Sequence, residues 1–173
     1  MSALEPPDTH LLSAAEGWLM LDAPHEARHE LRGIRPENRR RPEVLQVRWR
    51  IYAAAHKWRA CLSAAQALVI AAPESPFGWV HRSFALHEMH RTREAFELLL
   101  PAAQQFSKDF IIPYNLACYA CQLGRLTEGW AWYQRARGLT EAEIVEAMAL
   151  EDKDLQPIWD KIRPPADSSS NPL

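Results

Sequence analysis

Glycine is scarce, with six in 173 residues, and no run of alternating Val, Ile or Thr asks to be a strand. What fills the space is Ala, Leu, Glu, Arg and Gln, the residues that lose least on entering a helix. No uninterrupted apolar stretch is long enough to span a bilayer, which excludes a transmembrane helix. The opening MSALEPPD lacks a basic start and an apolar core, so no secretory signal is visible. Three cysteines, an odd number, argue against a disulfide framework and for free thiols in a reducing compartment. Also missing are a glycine-rich phosphate loop, a serine nucleophile motif and a pair of catalytic carboxylates, so an enzyme is not expected. With 47% hydrophobic and 24% charged residues, the composition is that of a cytoplasmic, soluble, all-α protein.

The formal net charge is only -2, but its parts are separated. Nine Lys or Arg against two Glu lie between Arg32 and Arg59, including the run Arg39, Arg40 and Arg41. Eight Asp or Glu against three Lys or Arg lie between Glu141 and Asp167. The basic segment suits a polyanion. It reads equally as a solvated connection between helices, and no stacking aromatic platform accompanies it, so nucleic acid is not the expected partner.

Three short motifs invite chemistry. His25-Glu26-Ala27-Arg28-His29 has the H-E-x-x-H spacing that puts two imidazoles one helical turn apart, as zinc proteases require. Pro24 precedes it and restricts it to a first turn, and no third ligand follows at a fixed spacing. Cys118 and Cys121 form a C-x-x-C, but one lying mid-helix, without the helix N-terminus that depresses a thiol pKa. His87 and His90 bracket a turn. None of these demands a metal or a cofactor, and neither is expected.

The strongest signal is a repeat. Ala27, Cys61, Ala95 and Gly129, each just after a break in the apolar pattern, are spaced 34 residues apart. Five residues before each come Asp22, His56, His90 and Gly124, where a turn should lie. Seven after come Ile34, Leu68, Ala102 and Ala136, suited to the inner face of a second helix. In these columns the chain resembles the tetratricopeptide repeat (TPR) family, in its bacterial form. The resemblance is carried by Tyr114 to Ala136 with its Leu123-Gly124 turn, by Trp79 and the Glu94-Ala95 pair, by Tyr52 and Pro73, and by Ala15, Trp18 and the Glu26-Ala27 pair. Four helix pairs are expected at about 9–40, 42–73, 76–107 and 110–139. Capping helices follow over 140–163, and disordered ends at 1–8 and 164–173. In this register Glu26-Ala27 is a repeat feature, with His25 and His29 facing solvent. Pro36 should truncate the second helix, and Trp49, in a column otherwise held by Ala15, Ser83 and Ala117, is expected to fill the space that this leaves. Thr140 and Glu143 read as a capping box. Ile144, Ala147, Met148 and Leu150 are expected to cover the end of the stack, with Trp159 docking inward.

The resemblance implies a right-handed α-solenoid of stacked antiparallel helix pairs, whose first helices line a concave groove for another protein or peptide. Residues expected on that groove are Leu12, Glu16 and Leu19, then Gln46 and Arg50, then Phe77, Val80, Phe84 and His87, then Tyr114, Cys118 and Gln122. The family's carboxylate clamp is missing, since its places hold Leu12, Glu16, Val47, Phe77 and His81. An apolar segment is the expected ligand. The aromatics equally read as packing between neighbouring helices or under the C-terminal segment. The resemblance thus implies a non-enzymatic interaction scaffold. A small export-type chaperone for an unstable client and a self-associating structural protein stay open as alternatives, with no membrane or nucleic-acid partner.

Overall fold

The computed structural model describes residues 3–163, so the tail from 164 onward lies outside the described residues. Among these the chain is all-α, with no strand. Helices α1 (Asp8–Met20) and α2 (Pro24–Gly33) form the first antiparallel hairpin, and α3 (Pro42–Ala54) and α4 (Trp58–Ala71) the second. Then come α5 (Pro76–Glu88) and α6 (Thr92–Leu99), the short α7 (Ala102–Gln105), the hairpin α8 (Ile111–Gln122) with α9 (Leu126–Arg137), and α10 (Ala142–Glu151). A 3-10 segment, Lys153–Ile158, runs into the last turn, α11 (Trp159–Ile162). Sequential neighbours pack on each other, consistent with a helical repeat. The helices fall into two compact units, residues 1–98 and 99–173.

The 34-residue period is written into the backbone. Asp22, His56, His90 and Gly124 take positive φ, between 51° and 74°, and each follows the end of a first helix. Beyond each, the N–H of Ala23, Lys57, Arg91 or Arg125 donates to the carbonyl of Trp18, Tyr52, Leu86 or Ala120, at 2.8 to 2.9 Å. The positive-φ residue itself donates to Leu19, Ala53, His87 or Cys121, at 2.8 to 3.2 Å. Together these are the two bonds of a Schellman turn, which satisfy carbonyls that a helix end otherwise leaves unpaired. The reversed chain starts its next helix at once, and the residues at 27, 61, 95 and 129 are all buried. They must be small because the paired helices approach most closely there. A Cβ on Gly129 would lie 2.6 Å from the Cys121 Sγ.

In the first unit one apolar cluster joins Ala15, Ala27, Leu31, Ile34, Val44, Val47 and Ile51, and a second joins Trp49, Cys61, Ala64, Ala65 and Ala85. Trp49 therefore does not fill space behind the shortened α2, as its column suggested. Its ring turns the other way, edge-on to Phe77, His81 and Phe84 of α5. The end of α2 is closed by Arg39 instead, which donates from Nε to the Ile34 carbonyl (2.7 Å) and from Nη2 to the Arg32 carbonyl (3.0 Å). Cationic side chains at helix C-termini complement both the orphan carbonyls and the dipole.

Residue 8, assigned above to a disordered N-terminus, is in fact buried and opens α1. Its carboxylate accepts from the Arg35 backbone N–H (3.2 Å), the Arg35 Nε (2.9 Å) and the Asn38 side-chain amide, tying the start of α1 to the connection after α2. Burial would raise this carboxyl, but the bonds from Asn38 and Arg35 outweigh it and hold the pKa below the ordinary 3.8. At the other end Thr140 caps nothing, since α10 starts after Glu141 and no side chain caps it. Its inward face lies one residue on from the expected stripe: Val145 and Ala149 are fully buried while Ile144 is 44% exposed.

Two predictions follow from these contacts. Gly124→Ala should lose about 1 kcal/mol and His90→Gly should gain about 0.5 kcal/mol in urea unfolding, because only glycine occupies left-handed backbone without a Cβ penalty. Asp8→Asn should lower the melting temperature at neutral pH. A carboxylate whose pKa is depressed by folding stabilises above its unfolded pKa, so the gap between variant and wild type should close as pH falls through and below 3.8.

Candidate functional site

Candidate residues from the first unit gather on α1, α3 and α5, the first helices of successive pairs. Glu16 and Arg50, each about half exposed, meet across α1 and α3 at 3.5 Å. Leu12 and Leu19 are half-buried on the rim of the first apolar cluster. Between α3 and α5 the aromatic side chains meet around Trp49. Phe77 stacks on His81 at 3.7 Å between ring centres, His81 lies 4.1 Å from Trp49, and Phe84 lies 6.3 Å from Trp49 and 5.7 Å from Trp58. Phe77, Val80 and Phe84 remain half-buried, so part of each ring or methyl face meets solvent. Gln46 is also half-buried, while His87 is held in the turn by Thr92 Oγ1 at 3.0 Å.

His81 and the Trp49 Nε1 give this cluster its polar content. Desolvation pushes the His81 pKa down to about 4 against a hydrogen bond to the Phe77 carbonyl, so the imidazole is neutral at physiological pH. The Trp49 indole N–H is buried without a hydrogen-bond partner. His81 was read on this face only as the occupant of a clamp position, and Trp49 was not expected on it, although it stands next to Arg50 and Phe77 to His81 is a single helical turn. A 3.6-residue count from Phe77 finds His81. Trp49 gives no such signal, because its column is otherwise small.

Candidates in the second unit are arranged differently. Tyr114 and Cys118 are buried, 6% and 3% exposed, beneath the segment that follows α10. The Tyr114 hydroxyl donates to Asp152 Oδ2 at 3.0 Å, and the Cys118 thiol donates to the same oxygen at 3.4 Å. Gln122 donates to the Asp154 carbonyl at 3.2 Å. Asp152 Oδ1 meanwhile accepts from the Asp154 N–H at 2.9 Å, fixing the 3-10 turn that carries Leu155 and Ile158 inward. The Trp159 indole closes the hairpin by donating to the Ala149 carbonyl at 2.7 Å. At Tyr114 and Cys118 the expectation of an open groove is thus corrected in favour of packing under the C-terminal segment, while Gln122 stays exposed. The chain's own acidic segment covers that face, because a tyrosine hydroxyl and a thiol there offer donors that Asp152 accepts.

The short motifs take ordinary places. His25 and Glu26 and His29 are exposed on α2, and among the described residues no group of three or more His, Cys, Asp or Glu is placed to hold a metal. All three thiols are free and buried. Burial raises the pKa of Cys61 and Cys121 to about 11, and burial together with the Asp152 and Asp154 charges raises Cys118 well above its ordinary value. These are environments that suppress the thiolate. Among the described residues, no helix is long and apolar enough to cross a membrane.

No protein-family model matches the chain, and no curated protein matches it significantly.

The Asp152 contacts predict a chemical readout. Native protein at pH 8 should show almost no fast reaction with a disulfide reagent, against three thiols after denaturation. Asp152→Ala, which leaves the Tyr114 hydroxyl without its acceptor, should cost about 1–3 kcal/mol and speed labelling of Cys118.

Proposed function

We propose that this protein is a TPR-like, non-enzymatic scaffold that binds an apolar segment of another protein on the α1–α3–α5 face. The observation that carries this reading is the half-exposed aromatic set Phe77 and Phe84 around Trp49, on the first helices of successive hairpins. Partly exposed aromatic rings held rigid by their neighbours supply large contact area at little entropic cost, and such residues dominate binding hot spots. The Glu16–Arg50 pair beside them offers one charge of each sign for orienting the bound segment. An apolar ligand suits this set better than an acidic tail, since His81 is neutral and the only guanidinium among the proposed contacts is already paired.

The reading does not extend to Tyr114 and Cys118, which the acidic segment covers, or to Gln122, whose exposed side chain bonds to that segment's backbone. A right-handed solenoid whose groove runs on to α8 is accordingly not needed for it. The contacts proposed are Leu12, Glu16, Leu19, Gln46, Arg50, Phe77, Val80, Phe84 and His87.

A peptide-display selection on the purified protein tests the proposal. Peptides with two or more apolar residues at helical or alternate spacing should be enriched. Their affinity should fall about tenfold for Phe84→Ala and for Val80→Glu, with circular dichroism confirming that both variants fold. Selection of no peptide class, or of peptides that bind both variants as well as wild type, would refute the assignment.

A further inference from the structure

The space beside the shortened α2 is lined by arginine. A cavity of about 200 Å³ between α2 and α3 is bounded by Arg28, Arg32, Arg39 and Arg48, with Ile51 and Tyr52 at its apolar side. No carboxylate lines it. Ion pairs seen among the described residues of this unit join Arg35 with Asp8, Arg41 with Glu43, Arg50 with Glu16 and Arg91 with Glu94, away from the cavity. Arg39 is immobilised by its bonds to the Ile34 and Arg32 carbonyls, so one of the four cations is held in place by backbone. Arg48 is half-buried, and its charge is disfavoured by burial and by Arg39, with only Tyr52 acting the other way.

Arg28, Arg32 and Arg39 are exposed and Arg48 is half-buried, so four like charges gather around one concavity that is open to an anion from solvent. A folded chain that keeps such an arrangement without an acidic partner is arranged for an anion from outside. The number of guanidinium groups selects the anion. One carboxylate would leave most of the charge unmatched, whereas a diphosphate carries several negative charges on oxygens that fit the guanidinium fork. A second cavity, of about 130 Å³, shares Arg28, Ile51 and Tyr52 with the first and ends at His25 and Lys57. It gives an attached organic group a place against the Tyr52 ring.

We propose that the cavity between α2 and α3 binds a small diphosphate-bearing molecule, its phosphates among Arg28, Arg32, Arg39 and Arg48 and its organic part across Tyr52 toward Lys57. The site is independent of the aromatic face above, and a peptide selection that failed would leave it standing. It also gives the basic segment a role other than contact with nucleic acid.

Calorimetric titration of the full chain, without magnesium and at constant ionic strength, tests this with inorganic pyrophosphate, ADP and acetate. Pyrophosphate and ADP should bind saturably at one site, ADP more tightly, and acetate should not. Arg48→Gln and Arg32→Gln should weaken both by about tenfold or more, while Arg93→Gln, at an exposed position of α6, should leave both unchanged. Because each of the first two variants removes a repelled charge, neither should melt below wild type without ligand, which separates lost binding from lost folding. Absence of saturable heat, equal binding by Arg48→Gln, or displacement of pyrophosphate by an equal concentration of a short single-stranded oligonucleotide would overturn the proposal. ADP binding no tighter than pyrophosphate would overturn the place given to the organic part.

Discussion

The four 34-residue helix pairs depend on one backbone constraint, a single left-handed residue between two helices. At Asp22, His56, His90 and Gly124 the chain leaves helical φ for one residue, and the two bonds of the Schellman turn close over the vacated carbonyls. That geometry fixes how soon the second helix can begin and at which residue it first meets the first helix. The meeting point is the small residue five positions later, buried in each case. Three of the four left-handed positions are not glycine, so the turns are held by their hydrogen bonds and by the packing beyond them rather than by local preference. Glycine serves only in the fourth, where the following small residue is also glycine and a Cβ there would meet the Cys121 Sγ.

What varies between hairpins is how their ends are finished, and the candidate sites arise there. Pro36 stops α2 early, and the connection that follows is organised by two polar devices, Asp8 gathering Arg35 and Asn38, and Arg39 bonding the last carbonyls of the helix. The arginines left over line a cavity instead of meeting carboxylates. In the segment after α10 one carboxylate, Asp152, is engaged internally. Asp152 takes hydrogen bonds from Tyr114 and Cys118 and from its own backbone at Asp154, and so turns a face that could have met a partner into core.

The aromatic cluster shows how much one side chain can redirect. Trp49 stands where the other first helices carry Ala15, Ser83 and Ala117, all buried. A residue of that size cannot lie flat between paired helices that approach on alanine. It is displaced toward α5, where Phe77, His81 and Phe84 close around it, and where burial keeps His81 neutral. Its indole N–H is left without a partner, a cost of the kind that cores ordinarily avoid.

The sequence by itself determined the all-helical class, the positions of the turns and the small residues behind them, because these depend on local periodicity and on backbone angles that recur every 34 residues. The exposure of His25 and His29 was legible for the same reason, since it follows from their place in the repeat. Tertiary structure decided the rest. Which way Trp49 turns depends on how much room α2 and α5 leave. Whether Tyr114 and Cys118 face solvent depends on a segment more than thirty residues away, and the burial of Asp8 depends on Arg35 and Asn38 across a hairpin. The arginine cavity belongs to the same class: a count of basic residues shows an excess, but only packing decides that four of them surround one space with no carboxylate among them.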